Sequence, residues 1–154
     1  MIVIEKNKTC AVTGHRQVDS DLDKNLLEIL FIRLIQKGFN TFLIGMAVGF
    51  DTICFKILYK LKQKYDIKLI ACVPCPNQDE RFSQSQKEEY RNLLEKADHV
   101  EIISQRYYAG CMRKRNEFMV DNSSVLIAYV RRDKSGAMQT LSYAKQKNLA
   151  ILKV

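Results

Sequence analysis

Hydrophobic and polar positions along the chain follow two periods. Short apolar runs read as buried strands at Lys8–Thr13 (centred on Cys10-Ala11-Val12), Thr41–Ile44, Lys68–Val73, Val100–Ile103, Ser124–Val130 and Leu149–Val154. Between them, apolar residues recur at helical spacing. A first helix is predicted from Leu22 to Lys37, capped by Asp21 or Asp19, with Leu22, Leu26, Ile29, Leu30 and Leu34 as its apolar stripe and Gly38 as its stop. The second carries Phe50, Ile53, Cys54, Ile57, Leu58 and Leu61 on one face. A polar loop, Asn77–Ser85, leads to a helix through Leu93 and Ala97, and two more are predicted at Cys111–Asn122 and Gly136–Lys147. Strands separated by helices of this length imply right-handed crossovers. The pattern predicts an α/β, Rossmann-like three-layer sandwich: a mainly parallel sheet of about six strands with helices on both faces.

Composition narrows the class. With 154 residues, 47% hydrophobic and 27% charged, residues 1–154 are expected to form one domain. No run approaches the ~18 to 20 apolar residues that span a bilayer, so no membrane partner is expected. The opening residues Met1–Lys6 lack a charged segment ahead of an apolar one, so no export signal is expected. Five cysteines, an odd number scattered through strand and helix patterns, read as reduced thiols of a cytoplasmic protein. The net charge of +8 fits a lysine-rich solvated surface, an anionic small ligand or nucleic acid.

In a parallel sheet, ligands bind outside the carboxyl ends of the strands. That rule selects five segments, and the unusual polar residues fall in them. Thr13-Gly14-His15-Arg16 offers a hydroxyl, main-chain N–H groups and a guanidinium for phosphate oxygens. His15 there is a donor, base or cation, or simply a hydrogen-bonded turn residue. Gly45-Met46-Ala47-Val48-Gly49-Phe50-Asp51 is a strand-to-helix turn on two glycines, suited to phosphate through its helix N-terminus or serving only as a turn. Pro74 and Gln78 follow the third strand. Met112, Arg115, Asn116 and Met119 share one helical stripe, with Arg113 beside it; an inward Arg115 must pair with Asp121 or Asp51, or face an anionic ligand. Ser135, Gly136 and Thr140 open the last helix, where Ser135 is also a good N-cap. Cys72-Val73-Pro74-Cys75 is a CxxC, but Cys72 lies in a strand and Pro74 and Pro76 block the helix that a redox pair would open. No metal site is expected, since further ligands at sensible spacing are lacking.

Taken together, Thr13–Arg16, Gly45–Asp51, Val73–Phe82 and Cys111–Asp121 resemble the YpsA-like family of the SLOG superfamily, the Rossmann-like group that holds the Smf/DprA proteins and the LOG nucleotide hydrolases. The resemblance runs from about Lys8 to the C-terminus. It implies a cytoplasmic bacterial or phage protein binding a nucleotide or a NAD- or ADP-ribose-like ligand in the glycine-lined cleft, with no required cofactor and with self-association in some relatives. The LOG hydrolases cleave the N-glycosidic bond of nucleoside monophosphates, and Arg115 matches their functional arginine. They carry Pro-Gly-Gly-x-Gly-Thr-x-x-Glu where this chain has Ser135-Gly136-Ala137-Met138-Gln139-Thr140-Leu141-Ser142-Tyr143. Thr140 matches, but Tyr143 replaces the glutamate and cannot act as a carboxylate at neutral pH, so hydrolysis of this type is not expected unless Asp51, Asp121 or Glu117 takes its place.

The leading expectation is therefore a ligand-binding or sensing domain in which Arg16 and Arg115 neutralise phosphates and Asp51 accepts from a ribose hydroxyl. Catalysis, if present, would draw on Arg115, Asp51 or His15 in an N-glycosidic hydrolase. Nucleic-acid binding ranks third, because the basic residues are dispersed along the sequence and Tyr107-Tyr108 are not interleaved with them as a stacking platform requires.

Overall fold

The computed structural model describes residues 3–154; Met1 and Ile2, the start of the segment read for an export signal, lie outside them. After a 3-10 turn at Lys6–Lys8, strands and helices alternate: β1 (Thr9–Gly14), α1 (Lys24–Gln36), β2 (Thr41–Ile44), α2 (Phe50–Lys62), β3 (Lys68–Val73), α3 (Gln84–Lys96), β4 (His99–Ile102), α4 (Cys111–Asp121), β5 (Val125–Tyr129), α5 (Gly136–Gln146) and β6 (Ala150–Lys153). The six strands form one parallel sheet in the order β4-β3-β2-β1-β5-β6. The predicted Rossmann-like architecture is thus the observed one.

Two apolar layers hold it. Cys10, Val12, Phe42, Ile44, Leu69 and Ile127 point to one face, where they pack with residues of α1, α2 and α3. Ala11, Leu43, Ile70, Leu126 and Ala128 point to the other, against Met119 and Val120 of α4 and Leu141 and Ala144 of α5. Strands buried on both faces explain why β1, β2, β3 and β5 read as unbroken apolar runs. Because the chain builds the sheet outward from β1 to β4 and then returns over the opposite face through α4, the order reverses between β1 and β5. That reversal opens a crevice at their carboxyl ends.

Two expectations need correction. Helix α1 starts at Lys24, capped by Asp23, whose side chain accepts from the Leu26 amide; Asp19 and Asp21 do not cap it. Its buried row is Leu27, Phe31 and Leu34, while Leu26 and Ile29 stay 43% and 45% exposed. The stretch Leu26–Ile32 is nearly all apolar apart from Glu28, so two stripes one residue apart are equally amphipathic, and the sheet selects one. In α4 the inward row is Cys111, Arg115 and Met119, and Met112 faces outward.

Candidate functional site

All five parallel βα connections lie at one end of the sheet, so the segments selected from the sequence converge there. They are interlocked by hydrogen bonds. The Phe50 amide donates to the His15 carbonyl at 3.1 Å, seating the β2–α2 turn on the β1–α1 turn. Gly49 has φ +88°, and a Cβ there would lie 2.1 Å from the Arg16 carbonyl oxygen, so no other residue fits. A Cβ on Gly14 would meet the Phe50 ring at 2.4 Å. These glycines admit the chain's own atoms at the positions through which a ligand would approach the main chain.

The anion-binding capacity of the glycine turn is likewise met from within. Asp51 Oδ2 accepts from the Ala47 amide at 3.1 Å, and Oδ1 is buried without a hydrogen-bond partner among the described residues. Burial pushes the Asp51 carboxyl up to about 6, against the pull of Arg115 and the Ala47 N–H. Met46 adopts φ +64°, and its carbonyl accepts from Gln78 Nε2 at 2.7 Å.

Arg115 is buried beneath this turn. Its Nη1 donates to the carbonyls of Gly45 and Cys72 and to Gln78 Oε1, and its Nε to Asn116 Oδ1. Neither Asp121 nor Asp51 forms an ion pair with it, contrary to the pairing considered from the sequence. Carbonyl and amide oxygens instead accept from its Nε and Nη1, and Asp51 adds a charge nearby. The residue therefore ties α4 to the ends of β2 and β3.

At the switch point His15 joins the two halves. Its Nε2 accepts from the Arg131 amide at 2.7 Å and the Arg132 amide at 3.2 Å, so the ring is neutral, with its proton on Nδ1. Burial, then the charges of Arg132 and Arg131, hold its pKa below the usual histidine value. Arg131 lies 4.3 Å above the Tyr129 ring and bonds Asp21 Oδ2 at 2.7 Å, whereas Arg16 is exposed.

A groove of about 610 Å³ runs along α5 beside the first half of α4. It brings together Arg113, Asn116 and Thr140 of the predicted residues, with Tyr143. Glu117, a candidate from the Cys111–Asp121 segment to replace the missing glutamate, lines it too, as do Asp133, Ser142 and Gln146, to which no motif points; their only sequence signal is the polar row Gln139, Ser142 and Gln146 at i, i+3 and i+7 on α5. Glu117 Oε2 lies 3.5 Å from Arg113 Nε, and the Tyr143 hydroxyl donates to Asp121 Oδ1 at 2.8 Å, linking α5 to the end of α4. Asp133 and Met138, on either side of the α5 N-terminus in the chain, line the groove, whereas Ser135 and Gly136 do not. Ser135 Oγ caps the Met138 amide at 3.0 Å, and Gly136 has open space where a side chain would be.

The five cysteines are free and buried. Burial pushes the Cys72 thiol up to about 12 and also raises Cys75, which disfavours the thiolate that redox chemistry needs. Among the described residues no helix is long and apolar enough to cross a membrane.

A doubly covered parallel sheet with its polar segments gathered at the strands' carboxyl ends defines a Rossmann-like protein. A family model described as the YspA SLOG family matches residues 10–151, and the chain belongs to that family. It is 31% identical over 117 residues to a UPF0398 protein of Halalkalibacterium halodurans, a match covering 74% of this chain and 62% of that one. It is 29% identical over 138 residues to the SPbeta prophage-derived protein YoqJ of Bacillus subtilis, covering 81% of each. Among solved structures it resembles DprA of Streptococcus pneumoniae (TM-score 0.69, 16% identity, 96% of this chain and 50% of that one). It also resembles DprA of Helicobacter pylori, described for its single-stranded DNA binding mode (TM-score 0.66, 17% identity, 96% and 65%). The match thus spans less than two thirds of the H. halodurans protein and of either DprA.

Proposed function

We propose that the chain binds a nucleotide or nucleotide-derived ligand, of the NAD or ADP-ribose type, in the α4–α5 groove. The observation that carries this reading is a cavity of about 610 Å³ lined by Asp133 and by Met138, Gln139 and Thr140 of the first turns of α5, next in the chain to the sterically open helix N-terminus at Ser135-Gly136. Pockets of this volume accommodate a mononucleotide or larger ligand. Phosphates would take the free α5 amides, with Arg132 and Lys134 alongside. Base and sugar would lie against Met138 and Tyr143, with Asn116 as a polar contact. In this reading Arg115, Asp51 and the two glycine turns shape the cleft, and Arg113 replaces Arg115 as the α4 arginine facing the ligand.

Binding is favoured over turnover because the Tyr143 hydroxyl is engaged by Asp121 and brings no carboxylate of its own. The test is thermal unfolding with NAD, ADP-ribose, cyclic ADP-ribose isomers, AMP and ATP, with chromatography of each ligand afterwards. A ligand at ~100 times its Kd adds about 2.7 kcal/mol, or roughly 5 to 10 °C for a chain of this size. The gain should shrink in R132A/K134A. No shift with any compound refutes the reading, and a consumed ligand converts it to a hydrolase with Glu117 as the groove carboxylate to test.

A second reading, DprA-like binding of nucleic acid, is favoured by one observation. Arg16, Arg81, Arg106, Lys114, Arg132 and Lys134 are all exposed in connections or a first helical turn at the same end, and among the described residues none has an ion-pair partner. Folding gathers cations that are dispersed in sequence, and the fold they stand on is that of DprA.

A further inference from the structure

The β4–α4 connection has a composition unlike the rest of the surface. Of the seven large hydrophobic residues that are exposed among those described, four fall between Ile102 and Met112: Ile102, Tyr107, Tyr108 and Met112, exposed by 38, 64, 45 and 37%. A local concentration of exposed apolar groups marks an interaction surface more often than scattered single residues do. Tyr107 is the most exposed of the four. Although the pair is not interleaved with cations in the sequence, the fold sets Arg106 in the same connection and Arg113 and Lys114 in the first turn of the helix that it enters.

The connection is held in place. Its start is pinned by the Ser104 amide donating to the Pro74 carbonyl at 3.1 Å, and Ser104 Oγ both accepts from the Arg106 amide and donates to the Arg106 carbonyl. Its end is pinned by the Cys111 amide donating to the Tyr108 carbonyl at 3.1 Å. Gly110, at φ +99°, turns the chain into α4 and has the edge of the Tyr108 ring 4.0 Å from where its Cβ would sit. The two rings are therefore presented on an ordered loop against the first turn of α4, whose Arg113 lines the α4–α5 groove.

We infer that Tyr107 and Tyr108 form a base-stacking platform for single-stranded nucleic acid, with Arg106, Arg113 and Lys114 taking the flanking phosphates. The inference rests on the nucleic-acid reading above and adds the surface and the strand state. Charge and shape select this occupant. Exposed aromatic faces beside cations match unpaired bases joined by phosphates, whereas a duplex hides the faces of its bases. A second copy of the chain fits poorly, because a two-fold contact through this patch would set Arg106, Arg113 and Lys114 against their own copies.

The test is fluorescence anisotropy of a labelled oligo(dT) strand and of a labelled duplex, at two salt concentrations, with the full chain. The wild type should bind the strand more tightly than the duplex, with affinity falling as salt rises. At about 5-fold or more for each stacked base, Y107A/Y108A should lose about 30-fold or more in affinity with an unchanged salt slope, since stacking and not phosphate contact is removed. Y107F/Y108F should keep the affinity. R106A/K114A should lower the salt slope. Both tyrosines are exposed, so the variants should unfold at the wild-type temperature. The chain has no tryptophan, so Tyr107→Trp adds one unambiguous reporter whose emission should be quenched by the strand. Wild-type binding that survives Y107A/Y108A overturns the platform and leaves nucleic-acid binding standing. Absence of strand binding by the wild type overturns both. Equal duplex affinity, unquenched Tyr107→Trp emission at saturation, or loss of a dimer in Y107A/Y108A would each overturn the platform as well.

Discussion

Asp51 sets a pH dependence that can be worked from its surroundings. Its carboxylate receives one hydrogen bond, from the Ala47 amide, and its second oxygen receives none. Burial raises the pKa from 3.8 to about 6. The unfolded chain thus releases this proton near pH 4 and the folded chain near pH 6. Stability from the neutral carboxyl is fully present below about 3.8 and is lost as pH rises through about 6. Roughly two pK units at ~1.4 kcal/mol each correspond to about 3 kcal/mol by pH 7, a large part of the ~5 to 15 kcal/mol that stabilises a typical domain. Asp51→Asn has no proton to lose. Urea denaturation followed by far-UV circular dichroism, at half-unit steps from pH 4 to 7.5, gives the difference in stability between variant and wild type. Over that window the difference should move by about 2.5 kcal/mol in favour of Asn as pH rises, most of it between pH 4 and 6. His15 and the surface groups titrate in both proteins and largely cancel. A difference that is flat with pH to within ~0.5 kcal/mol would show that Asp51 ionises in the fold as it does in water, and would refute the account of its unpartnered oxygen.

Other predictions follow from the same packing. Arg115→Met removes the donors serving Gly45, Cys72, Gln78 and Asn116 and should cost about 3 kcal/mol in urea denaturation, while moving the Asp51 transition to higher pH because the nearby cation is gone. Gly14→Ala forces a methyl to 2.4 Å from Phe50, which stacks on Tyr129 at 5.6 Å; a loss of about 1 to 3 kcal/mol is expected, and an unchanged Tm would show that Phe50 moves aside freely. Tyr143→Phe removes one hydrogen bond to Asp121 and should cost no more than about 1 kcal/mol. If Tyr143→Phe instead abolished an activity, Tyr143 would be a chemical participant rather than a link between helices.

The alternation of apolar runs with helical spacing was enough to place the strands and most helices to within a residue or two, because a strand buried on both faces has no polar position to confuse the reading. The rule that ligands sit at strand carboxyl ends likewise selects, from the order of elements alone, the end of the sheet where the polar connections converge. Which apolar stripe of α1 turns inward was beyond the sequence: Leu26 and Leu27 are chemically alike, and only the sheet's surface distinguishes them. The same holds for Arg115, whose partners Gly45, Cys72 and Gln78 are 70, 43 and 37 residues away. A main-chain carbonyl carries no signature in the sequence, so a buried arginine that binds carbonyls reads like one awaiting an anion. Asp51 shows the reverse, since an acid at a helix start reads as a ligand contact until folding turns it back on the Ala47 amide. The sequence by itself determined the order of strands and helices and the end of the sheet where polar residues collect. The tertiary structure decided which of those residues face the groove, because that depends on contacts between elements distant in the chain.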